Sequence, residues 1–281
     1  MMPNNNAPLN PTIVMIHGMW SRPRVWGHYR EFFEARGYRV ITPTLRHHAV
    51  TPDETPPEGL GTCSLLDYAA DLEKEIAALD TKPLIIGHSM GGLLAQILAA
   101  RGHARAAVLL ASAPCRGAAL VSLSTSLVFA GVLARWGFWR KPQKPGFMAM
   151  KYGILNCVEK ARQAGLYETL IDESGRALFE IALWYADKNR AAHVDPAEVT
   201  CPLLFMTGTK DRLIPAWVAR NTAALYGDKA EFRALPGHAH WLLCEPGWDD
   251  VARQSLAFFE DLPARTFTAE QPGMSLRPVS A

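Results

Sequence analysis

A serine lies between two glycines in the segment from Gly87 to Gly91, and this segment constrains the fold more than any other. An apolar run precedes it at 83–86, and a helix-like run follows it at 93–100. A strand, a sharp turn and a helix would present the hydroxyl of Ser89 at the turn, where bulky side chains two residues to either side would not fit. The pattern predicts a nucleophile elbow, with Ser89 as the attacking group.

Short β-rich runs alternate with amphipathic helical runs along most of the chain. The predicted strands are 12–16, 38–42, 84–87, 107–111, 203–207 and 231–234. Helices are predicted at 25–36, with Gly37 as its stop, at 65–79, where Ser64 and Asp67 resemble a capping box, and at 248–262. Such alternation is typical of an α/β fold with a mostly parallel central sheet flanked by helices.

The alternation fails between residues 115 and 199, which are rich in helix formers and aromatic residues. This interval predicts a helical cap inserted into a core formed by 10–114 and 200–262. The mostly apolar stretch 118–138 carries serines, a threonine and Arg135, so it predicts a lid rather than a transmembrane segment. Residues 263–281 lack periodicity and predict a flexible tail.

Composition excludes several classes of function. A net charge of +2, from 29 basic and 27 acidic residues, provides no strong field for a nucleic-acid backbone. The five cysteines are odd in number and scattered, which argues against a disulfide framework or a zinc site. The first residues resemble no secretory signal, so we expect a cytoplasmic protein.

A serine hydroxyl is a weak nucleophile at neutral pH and needs a base, which in turn needs an orienting acid. The loop 208–215 follows a predicted strand at its carboxyl end, and Asp211 in this loop is the candidate acid. Further on, His238 and His240 both follow the last predicted strand. Only one of them can be the base, and these considerations leave both open.

At this point the chain resembles the α/β-hydrolase superfamily of esterases, lipases and C–C hydrolases across about residues 10 to 262. The resemblance rests on His17-Gly18, on the elbow at Ser89, on Gly208-x-x-Asp211 and on the late histidine. It implies the α/β-hydrolase fold, a Ser-His-Asp triad and no cofactor. Haloalkane and epoxide hydrolases are disfavoured, since they use an aspartate as nucleophile.

The superfamily's terminal motif, Gly-His followed by Glu, fits this chain in two registers. Gly237 matches the glycine before His238, whereas His240 matches everything downstream as far as Glu245 and Pro246. We choose His240 on the longer match, which makes His238 a surface or supporting residue.

The resemblance also assigns the oxyanion donors to the backbone N–H groups of Met19 and Met90. Met90 opens a predicted helix, whose N-terminus favours a developing negative charge. Trp20 could line the substrate pocket or replace Met19 as donor. Aromatic residues of the cap could line the pocket or pack in the core, and those chosen as pocket residues are Phe129, Trp136, Phe138 and Trp184. The adjacent His47 and His48 do not predict a metal site, because neighbouring side chains point in different directions.

These features predict a serine esterase that cleaves a neutral, hydrophobic carboxylic ester, a small molecule, through an acyl-enzyme. A lactonase, a C–C bond hydrolase or a cofactor-free perhydrolase would use the same triad. A noncatalytic protein that binds a ligand in the same pocket is the alternative from another class.

Overall fold

The computed structural model describes residues 11–118 and 122–262 and has the predicted α/β fold. In chain order the strands are β1 Ile13–Ile16, β2 Val40–Ile41, β3 Leu84–His88, β4 Ala106–Leu110, β5 Pro142–Gln143, β6 Glu173–Ser174, β7 Leu203–Gly208 and β8 Ala230–Leu235. Six of them form one parallel sheet in the order β2-β1-β3-β4-β7-β8, and β5 pairs with β6 antiparallel. Each predicted strand overlaps an observed one. The predicted tail, 263–281, lies outside the described residues.

The α-helices are α1 Gly27–Glu34, α2 Leu65–Ala77, α3 Met90–Ala100, α4 Leu123–Leu133, α5 Phe147–Gly153, α6 Lys160–Glu168, α7 Gly175–Ala182, α8 Ala216–Ala224 and α9 Trp248–Glu260. A 3₁₀ turn at Pro23–Trp26 precedes α1, and Gly37 after it has the left-handed φ of 82° expected of a stop. The capping box of α2 is present, with the N–H of Ser64 donating to Asp67 at 2.9 Å. In the described part of the chain, no helix is long and apolar enough to cross a membrane.

The strand β1 shows why the sheet is buried on both faces. Its residues alternate between two apolar clusters: Val14 and Ile16 join one, whereas Ile13 and Met15 join the other. Side chains of a strand point alternately to opposite faces, so both faces of the sheet are covered. For this reason the sequence of β1 is a continuous apolar run and does not alternate between apolar and polar residues.

The segment 115–199, hereafter the insert, enters the chain between β4 and β7. Its described part contains α4 to α7 and the β5–β6 ladder. One attachment to the rest of the fold is Glu180 of α7, which accepts hydrogen bonds from the N–H of Leu65 at 2.8 Å and from Ser64 Oγ at 2.8 Å. A carboxylate of the insert therefore lies at the positive N-terminus of α2.

A second attachment is a buried ion pair between His48 and Glu173. His48 Nε2 lies 3.0 Å from Glu173 Oε2, and Nδ1 lies 2.8 Å from the carbonyl oxygen of Arg46. Both ring nitrogens face acceptors, so His48 carries two protons and a positive charge. Tyr68 donates to the other carboxylate oxygen at 2.7 Å.

The pKa values of the pair agree with this charge state. Burial lowers the pKa of His48, but its contacts with the Glu173 carboxylate outweigh burial and raise the pKa above its usual value. For Glu173 the directions are opposite: burial raises its pKa, but the contacts with His48 outweigh burial and lower the pKa below its usual value. The insert is thus joined to the rest of the fold by a charge pair that excludes water.

Candidate active site

The predicted elbow is a left-handed residue between β3 and α3. Ser89 has φ 54° and ψ −119°, a conformation that a non-glycine residue adopts only when its surroundings impose it. Its N–H donates to the carbonyl of Leu110 at 3.0 Å, and its carbonyl accepts from the N–H of Ala113 at 2.9 Å. The side chain is less exposed than expected, since Ser89 as a whole is buried.

The glycines around Ser89 are required by close backbone packing. A Cβ atom at Gly91 would lie 2.1 Å from the carbonyl oxygen of Ile16, and one at Gly87 would lie 2.3 Å from the carbonyl oxygen of Gly91. Neither position could hold a side chain without moving the backbone. The two glycines are therefore required because α3 packs closely against β1 and β3.

The candidate base and acid are paired. His240 Nδ1 lies 2.8 Å from Asp211 Oδ2, and both side chains are buried. The other carboxylate oxygen, Oδ1, accepts from the N–H groups of Leu213 at 2.9 Å and Ile214 at 2.8 Å. In a neutral imidazole whose Nδ1 carries the proton, Nε2 is left as an acceptor, which is the form a general base requires.

His88, the residue before Ser89, holds the backbone of His240. Its Nε2 donates to the carbonyl oxygen of His240 at 2.9 Å, and the two ring centroids are 5.1 Å apart. Burial, together with the nearby His240, lowers the pKa of His88 to about 3, so the ring is neutral. Sequence reasoning gave His88 no role, although a polar residue ending an apolar strand beside the serine was the available signal.

Glu245 holds the backbone N–H groups of the residues on either side of His240. One carboxylate oxygen accepts from the N–H of Ala239 at 2.8 Å, and the other accepts from the N–H of Trp241 at 3.0 Å. His238 lies 3.3 Å from the same carboxylate through Nδ1. The structure thus brings His240, and not His238, to Asp211.

The loop 17–20 packs directly against the elbow, and we call it the oxyanion loop because it contains Met19, the candidate oxyanion donor. A Cβ atom at Gly18 would lie 2.9 Å from Ser89 Cβ, so Met19 follows a residue that touches the serine. Met90 is the first residue of α3, and the first N–H groups of a helix have no acceptor within it. Burial and the neighbouring His48 lower the pKa of His17 to about 3, and its Nδ1 lies 3.0 Å from the carbonyl oxygen of Gly18.

One face of the helix α4 contacts two loops: the loop 208–215 with Asp211, hereafter the acid loop, and the oxyanion loop. Thr125 donates its hydroxyl to the carbonyl of Leu213 at 2.8 Å, two residues beyond Asp211. Phe129, one turn later, packs against Trp20 with ring centroids 6.2 Å apart. Both contacts come from the buried side of α4. Sequence reasoning did not single out Thr125.

The five aromatic residues chosen for the pocket fall in different places. Trp20 and Phe129 are buried together beside the oxyanion loop. Phe138 is buried against Trp139, with centroids 5.5 Å apart, and Trp184 is partly buried under the guanidinium of Arg116. The structure does not bring Trp136 to this region, because its side chain is 86% exposed.

Comparison with known proteins agrees with this architecture. The model of the alpha/beta hydrolase family matches residues 13–254. The chain belongs to this family.

Individual relatives are more distant. A pyrethroid hydrolase from Sphingobium wenxiniae is 34% identical over 83 residues, a match that spans 28% of this chain and only 27% of that protein. A methylesterase from Arabidopsis superposes with a TM-score of 0.68 at 12% identity, over 90% of this chain and all (100%) of the other. A pyrethroid hydrolase from Sphingobium faniae superposes with a TM-score of 0.65 at 19% identity, over 91% of this chain and 99% of the other. At these identities the superpositions establish the fold alone.

Proposed function

We propose that this hydrolase is a serine esterase in which Ser89, His240 and Asp211 form the catalytic triad. The observation that carries the proposal is the 2.8 Å contact of His240 Nδ1 with Asp211, in a loop that His88 ties to the elbow. A base oriented by an acid and held beside a strained serine is what acyl transfer requires.

In this mechanism Ser89 Oγ attacks the carbonyl carbon of the ester while His240 Nε2 takes the hydroxyl proton. The N–H groups of Met19 and Met90 stabilise the oxyanion, and Asp211 stabilises the imidazolium. His240 then returns the proton to the departing alcohol, which leaves an acyl-enzyme. Water, deprotonated by His240, attacks the acyl group, and the acid and Ser89 are released.

The insert serves in this proposal as a cap, and the substrate is neutral and hydrophobic. Trp20 and Phe129 are apolar, buried and adjacent to the oxyanion loop, so they would contact the acyl or aryl part of the ester. Phe138 and Trp184 also belong to the insert, where Phe138 packs against Trp139 and Trp184 lies under the guanidinium of Arg116. We leave Trp136 out of the proposed pocket because its side chain is 86% exposed.

Activity-based labelling combined with substrate profiling tests the proposal. A fluorophosphonate probe should label the wild-type protein at Ser89 and should not label Ser89→Ala. The variant should retain the wild-type melting temperature and lose about 10⁴- to 10⁶-fold in kcat. A folded Ser89→Ala protein with a tenth of the wild-type activity would refute the assignment of the nucleophile.

The substrate panel separates the ester from its alternatives. It contains p-nitrophenyl esters of increasing chain length, a pyrethroid, because a relative is a pyrethroid hydrolase, and lactones and vinylogous diketones. We expect the highest kcat/KM on an ester with a hydrophobic acyl group. Preference for a lactone or a diketone would keep the triad and overturn the ester assignment. A folded wild-type protein that the probe does not label and that is inactive on every substrate would favour the ligand-binding alternative.

A further inference from the structure

The outer side of α4 is an exposed apolar stripe. Leu123 and Leu127 are 80% and 53% exposed, and the exposed Ala130 and Ala134 continue the same line at helical spacing. The opposite side of the helix is buried through Thr125, Val128, Phe129 and Val132. Helices on a protein surface normally direct polar side chains outwards, but the outer side of α4 is apolar and is left exposed by the residues that the structure describes.

Two further exposed apolar residues lie on the segments next to α4. Trp136, shortly after α4, packs edge-to-face on Trp139 at 5.3 Å between centroids and is otherwise exposed. Met148 of α5 is 70% exposed, and α5 packs on α4 so closely that a Cβ atom at Gly153 would lie 2.2 Å from Val128 Cγ2. We call Leu123, Leu127, Ala130, Ala134, Trp136 and Met148 the apolar patch.

The charged residues of the segment that carries the apolar patch are all positive. Residues 122–158 contain five lysines and arginines and no aspartate or glutamate. Four of these cations are exposed, namely Arg135, Arg140, Lys141 and Lys151. Among the residues that the structure describes, no carboxylate forms an ion pair with any of the five.

Several cations elsewhere on the surface pair with acidic residues. Arg30 pairs with Glu34 at 2.8 Å, Arg101 pairs with Glu73 at 2.7 Å, and Arg253 pairs with Asp249 at 2.8 Å. The chain as a whole has almost balanced charge, at +2. The excess of positive charge is therefore concentrated where the exposed leucines and Trp136 lie.

We propose that the apolar patch docks the protein on an anionic lipid surface. Leucine, methionine and tryptophan side chains enter the boundary between headgroups and acyl chains, and surrounding lysines and arginines attract anionic headgroups. At 11 residues α4 is about 16 Å long, roughly half the thickness of a hydrocarbon core, so it would lie in the interface rather than span it.

Docking of this kind would also place the proposed active site next to the lipid. The inner side of α4 reaches the acid loop through Thr125 and the oxyanion loop through Phe129, while its outer side carries the patch. A hydrophobic solute dissolved in the lipid would then be close to the site. The docking proposal itself rests on the patch and its charges, and it holds whether or not the protein is an esterase.

Sedimentation with vesicles tests the proposal on the full chain. Phosphatidylcholine vesicles with and without phosphatidylglycerol are the probes, and the bound fraction is measured at low and high salt. We expect wild-type protein to bind the anionic vesicles at least about tenfold more tightly than the neutral ones, and salt to weaken this binding.

Two matched variants locate the binding surface. Leu127→Glu should reduce binding to anionic vesicles by about tenfold or more, because it puts a carboxylate at the centre of the patch. Leu225→Glu, at a residue 44% exposed after α8, should bind like the wild type. Melting temperatures and hydrolysis of a water-soluble short-chain ester should be unchanged in both variants, which separates loss of docking from loss of fold or of chemistry.

Three results would overturn the proposal. The first is a wild-type protein that binds anionic vesicles no better than neutral ones. The second is equal binding by Leu127→Glu and Leu225→Glu. The third is a wild-type dimer in sedimentation velocity that Leu127→Glu dissociates, together with absence of vesicle binding, which would assign the patch to a second copy of the chain.

Discussion

The loop that carries His240 and the helix α4 approach the same elbow but are held in different ways. Around His240 there are four directional hydrogen bonds. Asp211 holds the ring, His88 holds the carbonyl of His240, and the two oxygens of Glu245 hold the N–H groups of the residues on either side. The inner side of α4 makes one such bond, from Thr125, and otherwise packs through apolar side chains such as Phe129. In the proposed mechanism, the residue that moves protons is therefore held by directional hydrogen bonds, whereas the side of α4 that would accommodate an apolar group is held mainly by apolar packing.

The largest effect expected from this comparison is on the base. His240→Ala should reduce kcat by about 10⁴- to 10⁶-fold, because it removes the imidazole that contacts Asp211. His238→Ala, the matched variant two residues away, should cost less than about tenfold, since its ring contacts Glu245 rather than Asp211. Steady-state kinetics on a soluble ester check both variants. The reverse pattern would mean that the register of the terminal motif is the other one.

The next effect concerns the acid. Asp211→Asn should lower kcat by about 10⁴-fold, because the amide favours the tautomer with the proton on Nε2. Asp228→Asn, at an exposed residue of a short 3₁₀ turn, is the control and should be neutral. If Asp211→Asn kept most of the activity while the fold was intact, another residue would have to orient His240.

The buried pair that joins the insert to the rest of the fold should affect stability more than the chemistry. Glu173→Gln leaves the imidazolium of His48 without its counter-charge, and breaking a buried pair costs about 3 kcal/mol in the free energy of unfolding. The exposed Glu198→Gln should cost almost nothing. Chemical denaturation at several pH values measures both.

The pH dependence of that loss follows from the two pKa shifts. The raised pKa of His48 contributes stability that is complete below its unfolded value of 6.5 and declines as pH rises through the folded pKa. The lowered pKa of Glu173 contributes stability that is complete above its unfolded value of 4.5 and declines as pH falls through the folded pKa. The difference between wild type and Glu173→Gln should therefore be largest between these two values. A difference that grew steadily above pH 6.5 would contradict the ion pair.

The smallest effect belongs to the apolar contacts of α4. Each methylene of the acyl chain that is buried should raise kcat/KM by about fourfold, corresponding to about 0.8 kcal/mol, until the pocket is full. Phe129→Ala should move the preferred chain length upwards, because it enlarges the pocket beside Trp20. Leu127→Ala, on the outer side of the same helix, should leave the preference unchanged. Identical profiles for the two variants would remove Phe129 from the pocket.

The sequence predicted those features that depend on local pattern. The apolar runs became strands of the sheet, and the Ser64–Asp67 capping box begins α2 as expected. The elbow was also predicted, because its glycines lie within two residues of Ser89 in the sequence, although the atom that excludes a side chain at Gly91 belongs to Ile16 of β1. One edge strand was overestimated: 38–42 was predicted, but only Val40–Ile41 pairs with β1, since an edge strand has a neighbour on one side only.

Features that depend on distant contacts could not be predicted. His48 and Glu173 are 125 residues apart, and nothing local in either sequence neighbourhood shows that they meet in the interior. Thr125 and Leu213 are 88 residues apart, and the sequence around each gives no indication of their hydrogen bond. Trp136 was chosen for the pocket on its chemistry alone, because aromatic composition does not tell which side of a helical segment faces the solvent. Trp136 lies beyond the end of α4 and packs edge-to-face on Trp139.

The attachment of the insert by Glu173 has a consequence for engineering. Exchanging the insert for that of a relative would be one way to change substrate preference. A graft that replaced 115–199 here would remove Glu173, whose contacts keep His48 protonated, and would leave the buried ring of His48 without the partner of its Nε2, next to His17 of the oxyanion loop. Such a chimera would need either a carboxylate at the same place or an uncharged residue at position 48. The insert and the rest of the fold therefore share a buried ion pair, although the chain passes between them only twice.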